Sequence, residues 1–196
     1  MPSFTSFFEA ISIKIFTARI RDSLRSHYSE VSTEWRSAIG PTIYSPRLDI
    51  AVGPFSLIDG CSEEHAYNEL CERSYEFLHH LIDYHKANAE DPRSADDIFM
   101  ALLRFNPNSR CFLAIEIENE VSQKHLLGGA LNASVLGRVA LAVGFNQKSH
   151  NAFLRLKRYF SFLKYVGKNS FDADNLLVIT PKQLRHCIQG MMLGNH

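Results

Sequence analysis

Two short apolar runs constrain this chain more than any other feature. Residues 111–117 read CFLAIEI and residues 138–145 read RVALAVGF. Each has the length of a strand, and each is too apolar to leave one face in water. The stretch between them, about 20 residues, is far longer than a hairpin turn and suits a crossover. It holds residues 122–136, rich in small side chains at helical spacing, with Ser122 placed to cap them. The two runs are therefore expected to be parallel neighbours in a sheet covered on both faces, which is an α/β arrangement.

The periodicities on either side fit such a sheet. Phe7, Phe8, Ile11, Ile15, Ile20 and Leu24 recur at roughly helical spacing, so residues 3–37 read as one long helix or two in series, closed by Gly40-Pro41. Residues 42–55 (TIYSPRLDIAVGPF) are β-branched and aromatic, bracketed by Pro41 and Pro54, and read as a β-hairpin. Residues 62–86 return to a helical stripe of Tyr67, Leu70, Ser74, Phe77, Leu81 and Tyr84, with Ser62 as the cap. A polar loop over 88–97 and a short helix over 97–105, ended by Asn106-Pro107, follow. Residues 152–166 read as an amphipathic helix, 176–179 (LLVI) as a strand, and Pro181 opens a last helix. The expected order is α, β-hairpin, α, β, α, β, α, β, α. It forms a single α/β domain over 1–196 with a mixed central sheet flanked by helices. Residues 1–40 would be an N-terminal helical segment, 41–180 the core, and 181–196 a C-terminal helix and tail.

With 45% hydrophobic and 21% charged residues in 196, the chain has the composition of a folded domain rather than a disordered one. No apolar run approaches the ~20 residues that span a bilayer, so no membrane partner is expected. The opening MPSFTSFFEAISIKIF carries Glu9 and makes a poor secretory signal. The four cysteines include no CxxC pair, which argues against a zinc ribbon or a disulfide framework. A reducing cytoplasm is the expected location. Equal totals of 21 basic and 21 acidic residues conceal an asymmetry. Residues 56–120 hold 14 acids and 5 bases, whereas residues 138–196 hold 9 bases and 2 acids. Any contact with a polyanion should therefore be local to the C-terminal third.

Three acids stand in apolar surroundings. Asp49 lies inside LDIAV, and Glu116 and Glu118 close FLAIEI. A buried carboxylate costs several kcal/mol unless it is paired or binds a metal. Period-2 geometry puts Glu116 and Glu118 on one face and Ile115 and Ile117 on the other. If the strand carrying Asp49 is adjacent, the three carboxylates converge, and an all-oxygen set of that kind suits Mg²⁺, with Mn²⁺ as a substitute. Lys124 falls in the first turn of the helix after Glu118, where an ammonium could stabilise charge on a phosphoryl group, and His125 follows it. The bland reading is rim acids paired with arginines and a solvated lysine.

In the order of its elements and in these residues, Pro46-Arg47-Leu48-Asp49 and then Glu116-Ile117-Glu118, the chain resembles the PD-(D/E)XK, or restriction-endonuclease-like, nuclease superfamily. The likeness covers residues 40–180. It implies a restriction-endonuclease-like fold and Mg²⁺-dependent phosphodiester hydrolysis in a prokaryotic cytoplasm, with DNA as substrate and a homodimer where both strands are cut. Asp49 matches the first metal-binding acid and Glu116 the second, with the carbonyl of Ile117 completing the ligand set. The sequence departs from the motif in two places: proline does not immediately precede Asp49, and Glu118 occupies the usual lysine position. The resemblance then assigns the lysine's role to Lys124, as a residue migrated onto the following helix, or to Glu118 through a water. Glu9 or Glu34, on the opening helix, could match the helical acid of some members. Arg155, Lys157, Arg158 and Lys164 would contact backbone phosphates, and Tyr159 and Phe160 would either stack on bases or complete the core. The alternative is a non-catalytic member of the fold that binds nucleic acid or protein.

Other signals are weaker. His65, His79, His80 and His85 lack the i, i+4 spacing of a helical zinc site, and no HExxH occurs. LLGGALNASVLG lacks both GxGxxG and the Gly-Lys-Ser/Thr of a phosphate loop, and its small residues suit a helix lying close to a sheet. No serine has G-x-S-x-G context.

Overall fold

A computed structural model describes residues 4–37, 45–56, 64–104, 106, 109–168 and 172–193. The chain opens with α1 (Phe4–Arg25) and continues through β1 (Val31–Arg36), β2 (Arg47–Val52), α2 (Glu64–Arg73), α3 (Tyr75–Ala89) and α4 (Ala95–Arg104). Then follow β3 (Cys111–Glu118), α5 (Gln123–Leu136), β4 (Gly137–Gly144), α6 (Gln147–Tyr165), β5 (Leu176–Ile179) and α7 (Pro181–Leu193). The five strands form one mixed sheet in the order β1-β2-β3-β4-β5. β1–β2 and β2–β3 are antiparallel, and β3–β4 and β4–β5 are parallel. The parallel pairing of the two apolar runs is as expected, and so is the α/β class. Among the described residues no helix is long and apolar enough to cross a membrane.

Several local expectations are corrected. The helix predicted over 3–37 ends at Arg25, and the chain turns through Ser26–Glu30 into β1. The two buried residues of β1, Val31 and Trp35, pack on opposite faces of the sheet, and the other four are partly or fully exposed, as suits an edge strand. The partner of β2 is therefore this earlier strand rather than a second strand within 42–55, of which residues 42–44 lie outside the described residues. The stripe of α1 is also displaced. Phe16, Ile20 and Leu24 are buried, whereas Ile11 and Ile15 are exposed. The helix read over 62–86 breaks at Ser74, whose hydroxyl meets the Tyr28 hydroxyl at 2.8 Å instead of capping α3. Ser62 lies outside the described residues. α4 begins earlier than expected because Ser94 and Asp97 cap it reciprocally, each accepting the other's backbone N–H.

The sheet separates two apolar layers. On one face Ile50, Val52, Leu113, Ile115, Ile117, Val139, Leu141, Val143, Leu177 and Ile179 pack with α1, α3, α4 and α7. On the other, Ala51, Ala114, Ala140, Ala142, Leu176 and Val178 pack with Leu126, Ala130 and Ala133 of α5 and Ala152, Phe153 and Phe160 of α6. Alanines on this second face let helices lie close. At Gly144 an added Cβ would come within 2.3 Å of the His150 backbone nitrogen, so glycine is what allows α6 to start against the end of β4.

Candidate functional site

Asp49 stands where two ladders lapse. β1 and β2 pair Thr33 with Ile50 and Trp35 with Leu48, skipping Glu34 and Asp49, and the pairing of β2 with β3 stops at Ile50↔Ile115. Continued by one step, the same registers set Glu34, Asp49 and Glu116 in a row across three strands. Glu34 adopts a φ of 53°, a left-handed conformation that costs a non-glycine residue about 1–3 kcal/mol. The Asp49 carboxylate takes over part of the missing ladder, its Oδ2 accepting the Ile117 N–H at 2.7 Å. That bond fixes the orientation of Asp49 against β3.

Glu116 lies on the α5 side of β3, opposite in direction to Ile115 and Ile117, as the strand period requires. Its Oε1 is sealed from solvent and accepts no hydrogen bond among the described residues. Over it α5 presents Gly129, at which a Cβ would stand 3.5 Å from Glu116 Oε2. Burial, then the charges of Asp49, Glu118 and Glu34, push the Glu116 carboxyl up to about 9. Asp49 is also raised, by burial first, with Glu34 and Glu118 adding to it and the Ile117 N–H and Arg47 opposing. Arg47 pairs with Glu34 at 2.7 Å, both side chains being 56% exposed, so the pair steers charge and stabilises little.

The predicted residues separate into those that meet and those that do not. Asp49 and Glu116 come together with Ile117 between the two glutamates. Glu118 does not join them: its Oε1 accepts the N–H groups of Asn119 and Glu120 at 3.0 and 2.9 Å, closing the turn after β3. Among the described residues no three His, Cys, Asp or Glu side chains are drawn together tightly enough to hold one ion. The donor set nonetheless fits a hard cation. A buried acceptor is left vacant at Glu116, a second carboxylate is fixed beside it, and Mg²⁺ commonly takes one or two protein carboxylates and fills its shell with water and substrate phosphate.

Lys124 is exposed in the first turn of α5. Five residues separate it from Gly129, about 140° around the helix, so it falls away from the acids, on the side of exposed Val135. His125, four residues before Gly129, shares the side that faces them. Glu9, on α1, accepts from Asn119 Nδ2 at 3.1 Å, and Glu34 lies on β1 rather than on a helix. The basic set on α6 divides likewise. Lys157 is buried and donates to the Ala173 carbonyl at 2.7 Å, and burial brings its ammonium down to about 8. Lys164 pairs with Asp172 at 2.7 Å and Asp174 at 2.5 Å. Arg155 and Arg158 are exposed. Phe160 completes the core, and Tyr159 is 53% exposed. Gly129 was missed as a site residue, and Glu34, read as an acid of the opening helix, stands on β1 instead.

A cleft of about 660 Å³ between the turn after α1, the α2–α3 junction and α7, lined by His27, Arg73, Ser74, Glu76 and His80 among others, lies apart from the acids. It gathers side chains of both signs and no converging donor set, so the carboxylate pair is the better candidate. Comparison of the chain with protein-family models, with curated proteins and with solved structures finds no match.

Proposed function

We propose that the chain is a Mg²⁺-dependent nuclease of the restriction-endonuclease-like type, hydrolysing phosphodiester bonds of DNA in a prokaryotic cytoplasm, as a monomer or a homodimer. The observation that carries this reading is the vacant buried oxygen of Glu116 beside Asp49 on the neighbouring antiparallel strand. Asp49, Glu116 and the Ile117 carbonyl would hold the cation, with Mn²⁺ as a substitute. When bound, it supplies charge stabilisation to a phosphoryl oxygen and a more acidic water. The chain's own residues do the rest. The Ile117 N–H keeps Asp49 aimed, Arg47 moderates the repulsion from Glu34, and Glu118 is the nearer group for orienting a water. Lys124 would serve only after a change in the first turn of α5. Arg155 and Arg158 would hold backbone phosphates, contacts that give affinity and no sequence reading.

The test is titration calorimetry of Mn²⁺ into the wild-type protein, Asp49→Asn and Glu116→Gln, followed by cleavage assays on single-stranded and duplex DNA. Saturable heat is expected in wild type and not in either variant, with cleavage lost in parallel. A second reading is a non-catalytic member of the fold that binds nucleic acid or protein. It is favoured by the absence, among the described residues, of an ammonium beside the acids and by the Glu116 carboxyl, which stays neutral at pH 7 and so relieves the repulsion without a metal. Nucleic-acid binding with no heat from Mn²⁺ would select it.

A further inference from the structure

We infer that the outer ridge of α6 is a grip for single-stranded nucleic acid. The inference rests on the nucleic-acid reading above and narrows its substrate class. The buried side of α6 is formed by Ser149, His150, Ala152, Phe153, Lys157 and Phe160. On the opposite side Lys148, Asn151, Arg155, Arg158, Phe162 and Tyr165 recur at alternating steps of three and four, which makes one continuous ridge. Its first half is cationic. Its second half is aromatic and bare, with Phe162 57% and Tyr165 88% exposed and Tyr159 on its flank. Aromatic side chains this open on a helix whose other face already fills a core have no role in folding. The 19 residues of α6 include no aspartate or glutamate.

Charge decides the occupant. A second copy of the ridge would bring Arg155 and Arg158 of both chains into one seam without a carboxylate to meet them. A duplex offers phosphates to the arginines but hides its base faces from the rings. A single strand offers both: phosphates for Arg155 and Arg158, and bases that stack on Phe162 and Tyr165. The ridge also leads to the carboxylates. Asn146, the cap of α6, donates from Nδ2 to the backbone and side-chain oxygens of Asn119 at 2.8 Å each, which ties the start of the helix to the turn after Glu118. From there to Tyr165 the helix runs about 27 Å, a span in keeping with single-strand sites of ~4–16 nucleotides. A strand stacked on Phe162 and Tyr165 passes Arg158 and Arg155 on its way to Asp49 and Glu116.

The experiment is fluorescence anisotropy of the full chain with labelled dT20 and with a 20-base-pair duplex, in EDTA at two salt concentrations. Wild type is expected to bind dT20 more tightly than duplex. Replacing Phe162 and Tyr165 together by Ala should weaken dT20 binding about tenfold to a hundredfold and leave duplex binding alone. Arg155→Ala with Arg158→Ala should weaken both and flatten the salt dependence. Tyr165→Glu, at the most exposed of these rings, replaces the double aromatic variant should that one unfold, and should weaken dT20 binding likewise. Stacking-dependent binding without cleavage under Mn²⁺ would leave the grip standing while the nuclease reading fails. Equal affinity for dT20 and duplex, or dT20 binding indifferent to the aromatic variants, overturns the grip. So does a wild-type dimer in sedimentation that those variants dissociate.

Discussion

At the scale of single residues, Glu116 is the group whose chemistry is most altered by its surroundings. Burial contributes first, and the charges of Asp49, Glu118 and Glu34 add to it, so that the folded chain holds a proton there up to about pH 9. The unfolded chain releases it near the ordinary 4.5. Over that interval the folded state binds more protons than the unfolded one, so the contribution to stability is full below 4.5 and declines as the pH rises towards 9. Glu116→Gln keeps the shape and removes the ionisation. Metal-free Glu116→Gln should gain about 1–3 kcal/mol at pH 8 and little at pH 5, as read by thermal denaturation in EDTA. An equal gain at both pH values would mean that the stress lies in packing and not in charge.

Among the elements, α5 and β4 show how glycines position the site, and they do so in opposite ways. Gly129 faces Glu116 across ordinary van der Waals distance, 3.5 Å from a built Cβ to Oε2. Gly129→Ala should therefore be accommodated and should stabilise the helix by about 0.5–1 kcal/mol. Gly144 has no such room, its Cβ meeting the His150 backbone at 2.3 Å. Gly144→Ala should cost about 1–3 kcal/mol by pushing α6 from the end of β4. Urea denaturation of the two variants checks both signs. The same elements show what could be read in advance. β3, β4 and β5 were legible because strands buried on both faces leave unbroken apolar runs. β1 was not, because an edge strand is half polar and its one irregular residue, Glu34 at φ 53°, interrupts the pattern at the site itself. The break at Ser74 depends on Tyr28, 46 residues away, and has no local signal. Asp49 and Glu116 could be paired from sequence, since each interrupts an apolar strand. Lys124 shows the opposite case: Leu126, Ala130 and Ala133 fix the phase of α5, and that phase turns the lysine outward.

For the whole molecule, the sheet divides charge as well as packing. The acidic stretch of the chain lies mostly on α2, α3 and α4, whose apolar sides face one layer, and the acid-free α6 covers the other. A polyanion thus meets its favourable field on the face that also carries Glu116. The two faces join at β5, where His85 of α3 is fully buried and its Nδ1 accepts the Val178 N–H at 3.0 Å. Burial first, then the charge of Lys157, brings this imidazole down to about 3, while Asp91, 3.8 Å from Nε2 and itself held by Arg93, opposes the shift. Unfolded, the group takes its proton near 6.5. Below that value the unfolded chain binds a proton that the folded one refuses, so stability should fall steadily as the pH drops from 6.5 towards 3. Asp91, lowered to about 2, adds its own loss only below its ordinary 3.8; between pH 4 and 6 His150, lowered by burial, acts in the same sense and Glu116 in the opposite one, so the substitution and not the window singles out His85. His85→Gln keeps an acceptor for Val178 and cannot titrate. It should be less stable than wild type at pH 7, and its melting temperature should change less between pH 6 and pH 4. A wild-type slope that survives the substitution would place the acid sensitivity elsewhere than at the α3–β5 junction.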